Sequence, residues 1–233
     1  MAVNADAYQE IVADLNSKEV TLVAVSKTKP IEDILALYNL GQRDFGENYV
    51  QELTQKAGQL PADMRWHFIG HLQSNKVKYI APFVSLIQSV DSKKLLAEIN
   101  KQAARNERII DCLLQVHIAS EETKFGFDET DLHELFDAGI IDYKHVRILG
   151  LMAMASFTDD MEIVRNEFRS LKFLFDKYAS LTSDRYRIDN CEFSILSMGM
   201  SADYREAIEE GSNMVRIGSL LFGKRKKSNN GKG

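Results

Sequence analysis

Short apolar runs alternate with longer amphipathic stretches along nearly the whole chain, and this alternation decides the fold class before any single residue does. The strand candidates are Leu22–Val25, Asp44–Gly46, Trp66–Gly70, Leu86–Val90, Leu113–Ile118, Val146–Met152, Glu192–Leu196 and Met214–Ile217. Helical patterns separate them at Ile31–Leu40, Tyr49–Ala57, Lys76–Ile80, Lys93–Asn106, Asp131–Ala138, Met161–Tyr178 and Ala202–Glu210. A strand that returns through a helix pairs in parallel with a right-handed crossover. Eight such rounds within 233 residues predict a closed (β/α)8 TIM barrel. The competing architecture is a doubly wound open sheet, but no G-x-G-x-x-G follows the first strand candidate. Pro30 should open the first of these helices and Gly41 end it, Gly139 and Gly211 sit where C-caps belong, and Asp91 and Ser201 are candidate N-caps.

Only three prolines are present and no Pro/Gly/Ser-rich linker divides the chain, so residues 1–223 are expected to form one barrel domain. The remaining 224–233, basic and rich in Gly and Asn, should be a disordered tail. With 45% hydrophobic and 27% charged residues the chain is an ordinary globular one, and a net charge of −5 argues against a nucleic-acid binder. No apolar run approaches the roughly 18 residues of a membrane helix. The N-terminal segment lacks a basic stretch followed by an apolar one, and a cytoplasmic protein without membrane contact is expected. Cys112 and Cys191, far apart in apolar company, read as buried free thiols rather than a disulfide or metal pair.

In a barrel of this kind the chemistry sits where strands end, so the residues just beyond each strand are the ones to question. The first strand, in "LVAVSKTKP", finishes on Lys27. An apolar wall penalises the charged ammonium, and the neutral amine attacks carbonyls to form a Schiff base. In "LSMGMSADYREAIEEGSNMVRIGSLLFG", Ser197, Gly199 and Ser201 stand between the seventh strand and a helix, and Gly218 and Ser219 follow the eighth strand. Small residues and a helix start after the last two strands make the usual barrel phosphate cradle. A Schiff-base lysine and a phosphate cradle together ask for an aldehyde that carries a phosphate, and pyridoxal 5′-phosphate is that ligand. Arg216 on the last strand would then face the pyridine nitrogen and, always charged, keep it unprotonated.

Other strand-end residues say less. Asn48, in "FGENYVQE", can reach a ring oxygen, whereas Glu47 and Glu52 read as a first-turn acid and a surface charge. His67 and His71 invite a metal, but strand residues four apart stand about 13 Å apart, too far to share an ion. Glu122 and Lys124 read as a loop salt bridge.

These stretches, with "WHFIGHLQSNK", "SVDS", "EETKFGF" and "GLMAMA", resemble the YggS/PROSC family of pyridoxal phosphate homeostasis proteins, itself similar to the N-terminal barrel of alanine racemase. The resemblance spans Leu22 to Gly223. It implies a fold type III barrel without the racemase's C-terminal β-domain, with the cofactor as a Schiff base on Lys27 and Ser197, Met198, Ser201 and Gly218 around its phosphate. The resemblance also implies Arg216 near the pyridine nitrogen and Asn48 and Met152 lining the ring. Asn213 stands where Thr is common and His117 where Asn is common, so a contact from the fifth strand is not carried over. Family membership implies cofactor buffering, delivery or protection without firm turnover, with apo-enzymes as partners. A racemase also needs a second acid/base on the opposite face, supplied there by the β-domain for which this chain leaves no room. A monomer is expected for the same reason. The alternatives are a small fold type III racemase or decarboxylase using Tyr49 or Tyr204 as base, and a cofactor-free aldolase-like Schiff-base enzyme.

Overall fold

Each strand candidate becomes a strand in the computed structural model, which describes residues 3–118, 125–138, 143–181 and 190–223. In chain order the elements are α1 (Ala5–Ser17), β1 (Thr21–Val25), α2 (Ile31–Asn39), β2 (Asp44–Glu47), α3 (Val50–Ala57), β3 (Arg65–Phe68), a 3-10 turn at Ser74–Lys76 and α4 (Val77–Ile80). They continue with β4 (Leu86–Val90), α5 (Lys93–Arg105), β5 (Ile110–Gln115), α6 (Glu129–Ala138), β6 (Val146–Met152), α7 (Met161–Leu181), β7 (Cys191–Met200), α8 (Tyr204–Glu209), β8 (Met214–Ile217) and α9 (Ser219–Phe222). All eight strands pair in parallel and β1 closes on β8, with Val23 opposite Arg216 and Ala24 opposite Ile217.

Closure explains why the strands read as continuous apolar runs, because both faces are covered. Leu22 and Ala24 of β1 point outward into the large core with Ile34 and Leu37 of α2. Val23 points inward and meets Leu86, Leu113, Met152 and Met214 in a second cluster inside the barrel. The missed helix α1 is capped by the Asn4 side chain, which accepts from the Ala7 N–H, and buries Tyr8, Ile11 and Leu15 at helical spacing.

Several boundaries differ from the sequence reading. β5 starts at Ile110 and ends at Gln115, so His117 lies beyond it, donating its N–H to the Phe127 carbonyl. β7 runs on to Met200 because a bulge against β8, between Ser197 and Met200, lets the strand continue through Gly199 at φ +93°. Ser197 and Gly199 are therefore strand residues, not loop residues. Ser92, not Asp91, caps α5 by accepting from the Leu95 N–H. Asp203 rather than Ser201 stands at the start of α8. Gly41 and Gly211 do follow helices with positive φ, as C′ residues do; Gly139 and the segment 224–233 lie outside the described residues. Cys112 and Cys191 are buried and unbridged, and burial pushes the Cys191 thiol up to about 12. Among the described residues no helix is long and apolar enough to cross a membrane.

Candidate functional site

Lys27 sits half-buried in the turn that follows β1. Ser26 is fully buried and turned outward, its hydroxyl donating to Glu47 Oε1 at 2.6 Å. Alternation along the strand then puts Lys27 on the inward face shared by Val23 and Val25. The next residue, Thr28, has φ +64°, a left-handed conformation that a β-branched residue adopts only at a cost. The turn is braced from behind by Lys56 of α3, whose ammonium donates at 2.7 Å to each of three acceptors: the Ser26 carbonyl, Glu47 Oε1 and Glu52 Oε1. Glu52 in turn accepts the Thr28 N–H. Three donors meet three acceptors, which is how a buried ammonium is tolerated. Burial pushes the Glu47 carboxyl up, against the pull of Lys56 and Ser26. Glu47 is thus not a first-turn acid but the buried end of β2, and Glu52 is no plain surface charge.

The other wall comes from β7 and β8. The Gly218 N–H donates to the Ser201 hydroxyl at 3.2 Å, joining the two loops predicted to form the cradle. A Cβ at Gly218 would lie 3.1 Å from the Val25 carbonyl oxygen, so the absence of a side chain lets the end of β8 pass close to β1, two residues before Lys27. Like the first N–H groups of any helix, those opening α9 have no intrahelical acceptor. Met198 is fully buried and packs in the outer core with Tyr204 and Ala207. Ser212, which the sequence reading passed over, clasps the bulge, its hydroxyl lying 2.8 Å from the Met198 carbonyl and 3.0 Å from that of Met214.

Below this mouth lies Arg216, buried on β8. Its Nη1 donates to the Ser197 hydroxyl at 2.6 Å and its Nη2 to the Ala153 carbonyl at 2.8 Å. Burial lowers the guanidinium to about 10, with Asp203 opposing the shift. The Ser197 hydroxyl also lies 2.7 Å from Gln88 Oε1. It bonds on both sides inside the barrel, apart from the Ser201–Gly218 contact at the rim. Further down, His67 lies between Gln88 and Asp44, and Asp44 is clasped by Arg65. Burial raises the Asp44 carboxyl, but the hydrogen bonds from His67 and Arg65 outweigh it and hold the group at about 2. A depressed carboxyl stabilises the fold above its unfolded value, near 4, and the benefit disappears as pH falls through 2. We expect about 2 kcal/mol from this source. The stability gap between wild type and Asp44→Asn in urea unfolding should therefore narrow between about pH 5 and pH 2; a constant gap would contradict it.

Asn48 follows β2, and its Oδ1 is buried without a hydrogen-bond partner in the structure. Gly70 presses on it: a Cβ there would stand 2.3 Å from the Asn48 carbonyl oxygen, which only glycine permits. Met152 ends β6, fully buried inside the barrel. The two histidines go separate ways, His67 inward and His71 outward, bonded to Asp91 and stacked on Phe125 at 4.2 Å. Glu122 and Lys124 lie outside the described residues. Lys27, Ser201, Gly218 and Asn48 are thus strand-end residues at the barrel mouth, with Arg216 and Met152 beneath. Lys56, Gln88 and Asp44, unremarked in the sequence, support them. The one available signal was the i, i+4 pairing of Glu52 with Lys56.

The class is therefore that of closed parallel barrels with a lysine in the turn after the first strand and a small-residue clasp beyond the last two. The family described as alanine racemase, N-terminal domain, matches residues 3–226. A pyridoxal phosphate homeostasis protein of Aquifex aeolicus is 45% identical over 206 residues, covering 88% of this chain and 87% of that protein. The human protein of the same name is 36% identical over 241 residues, covering 96% and 84%. The chain therefore belongs to the alanine racemase N-terminal domain family and, within it, to the pyridoxal phosphate homeostasis proteins of the YggS/PROSC group. Among solved structures, PipY of Synechococcus elongatus with pyridoxal phosphate bound superposes with a TM-score of 0.80 at 34% identity, covering 92% of this chain and 99% of that one. An alanine racemase of Clostridium difficile shares the fold, with a TM-score of 0.73 at 16% identity, and the match covers 62% of that longer chain.

Proposed function

We propose that this protein binds pyridoxal 5′-phosphate at the barrel mouth, tethered reversibly to Lys27, and serves cofactor homeostasis by buffering, delivery or protection rather than by turnover. The observation that carries the reading is the braced Lys27 turn facing the Ser201–Gly218 clasp across the β1–β8 seam. The residues present fit the group: Asn48 offers a buried oxygen with no other partner, and Gly218, lacking a side chain, lets the end of β8 close on Val25 beside the Lys27 turn. When bound, the cofactor supplies an aldehyde that an amine captures reversibly and a phosphate dianion. Lys27 would hold the aldehyde. Ser201, Gly218 and the backbone beside Met198 would hold the phosphate, Asn48 and Met152 would lie against the ring, and Arg216 would face its nitrogen. Ser197 acts through Arg216 instead of on the phosphate. A guanidinium gives protons to hydrogen bonds and takes none up, which disfavours the protonated ring that carbanion chemistry needs. The names of the relatives, and PipY's bound pyridoxal phosphate, support the same reading. Residence in the cytoplasm, a monomeric state and hand-over to apo-enzymes belong to this proposal as well.

The test is chemical. After incubation with pyridoxal phosphate and removal of the excess, the protein should be yellow, borohydride should bleach it, and peptide mapping should find the reduced adduct on Lys27. A colourless protein, or an adduct on another lysine, would overturn the proposal.

A further inference from the structure

A file of polar side chains crosses the barrel interior from Arg216 to the opposite end. Ser197 on β7 receives Arg216 Nη1 at 2.6 Å, Gln88 on β4 lies 2.7 Å from Ser197, His67 on β3 lies 2.9 Å from Gln88, and Asp44 on β2 lies 3.1 Å from His67. Every one of these residues is buried. Arg65 closes the file on Asp44 from the solvent side.

The chemistry of the two ends dictates the direction of every bond between them. A guanidinium only donates, so the Ser197 oxygen accepts from Arg216 and its own proton must go onward to Gln88 Oε1. That fixes the amide: its nitrogen faces His67, and His67 Nδ1 must accept. The imidazole proton is then on Nε2, donated to an Asp44 carboxylate that also takes two donors from Arg65. The reverse arrangement leaves the Ser197 end unsatisfied whatever the ring carries, and for a neutral ring it fails at both ends. With the proton on Nδ1, Gln88 would turn its amide nitrogen to Ser197, leaving the Ser197 proton without an acceptor and a bare His67 Nε2 against a carboxylate.

We propose that Gln88 and His67 are positioning residues for Arg216: by taking the Ser197 proton onto Gln88 Oε1, with the Gln88 amide held in that sense by His67 Nδ1, they lock the Ser197 oxygen in place as the acceptor of the guanidinium. This rests on the reading that Arg216 faces the cofactor. It explains how a buried cation is held with no carboxylate in ion-pair contact among the described residues. The charged groups near the file are Arg216 and Asp203 at one end and Asp44 and Arg65 at the other, and the side chains between them relay polarisation from the Asp44 charge.

The experiment reads the protein without cofactor first. Nitrogen-15 NMR of the apo wild type should show His67 protonated on Nε2 and bare on Nδ1 near neutral pH. Gln88→Leu should take the donor away from Nδ1 while Asp44 keeps the proton on Nε2, and should weaken pyridoxal phosphate binding about tenfold. Gln88→Glu should instead draw a proton onto Nδ1 so that both nitrogens are protonated. A residue that merely fills space would not produce different responses at Nδ1 from two replacements. Protonated Nδ1 in the wild type, or an unchanged His67 in Gln88→Glu, overturns the proposal. Should Gln88→Leu not fold, those two spectra decide alone. A wild type that shows the expected tautomer yet binds no pyridoxal phosphate would sink the proposed function and leave the hydrogen-bond order standing.

Discussion

Replacing Lys56 by methionine should cost about 3–5 kcal/mol of stability, the largest loss expected from any single change to the mouth's supports. Methionine keeps most of the volume, so packing is nearly constant and the effect isolates the charge. What remains is Glu47, fully buried, with its Oε1 held only by Ser26 and its Oε2 already without a hydrogen-bond partner. Burial already raises that carboxyl, and removing its counter-charge raises it further. For an acid whose folded value lies above its unfolded one, the native state binds the extra proton, so stability falls as pH rises through that window. The defect of Lys56→Met should accordingly be larger near pH 8 than near pH 5, and Glu47→Gln added to it should recover part of the loss. Urea unfolding of the three variants at two pH values measures all of this. A loss under about 1 kcal/mol would mean that the pairs are screened as surface ion pairs are.

The same variant should slacken the Lys27 turn. Glu52 reaches the Thr28 N–H while bound to Lys56, and this holds a β-branched residue at φ +64°. Such strain persists only where the surroundings over-determine it.

What the sequence discloses of this molecule follows from which interactions are local. Strand-and-helix alternation is a property of neighbours, so the (β/α)8 barrel and its eight strands are legible, as is Lys27 at the end of an apolar run. Ser201 and Gly218 are legible because turn chemistry writes small residues where backbones approach. The supports are not. Lys56 is nine residues from Glu47, Gln88 is 109 from Ser197, and each looks like a surface residue until the barrel closes. The spacing of His67 and His71 speaks only against a shared metal, and the partners His67 does have lie 21 and 23 residues away on two other strands. Ser197 shows the converse failure: its place in a motif rich in small residues suggested the rim, whereas the β7 bulge, invisible to periodicity, keeps it in the strand with its hydroxyl inside.

Arg216→Glu should weaken pyridoxal phosphate binding at least a hundredfold, since it exchanges a donor for an acceptor where both protein partners are already arranged for a donor. The Ala153 carbonyl, 2.8 Å from Nη2, has no proton to offer a carboxylate, and Ser197 has its own committed to Gln88. Burial and the nearby Asp203, itself pushed up by burial, would both raise the new carboxyl. Its protonated form can donate to Ala153, so binding and stability should improve as pH falls, whereas the wild type keeps its guanidinium charged throughout that range. Arg216→Lys keeps the charge but not the fork, and one ammonium on a shorter stem cannot span Ser197 and Ala153 in the same geometry. Its affinity should fall between those of wild type and Arg216→Glu, with no comparable recovery in acid. Absorbance titrations of the three proteins with pyridoxal phosphate at pH 6 and pH 8 separate charge from geometry: equal affinities for Arg216→Lys and wild type would show that charge alone matters, and equal affinities for all three would remove Arg216 from the site.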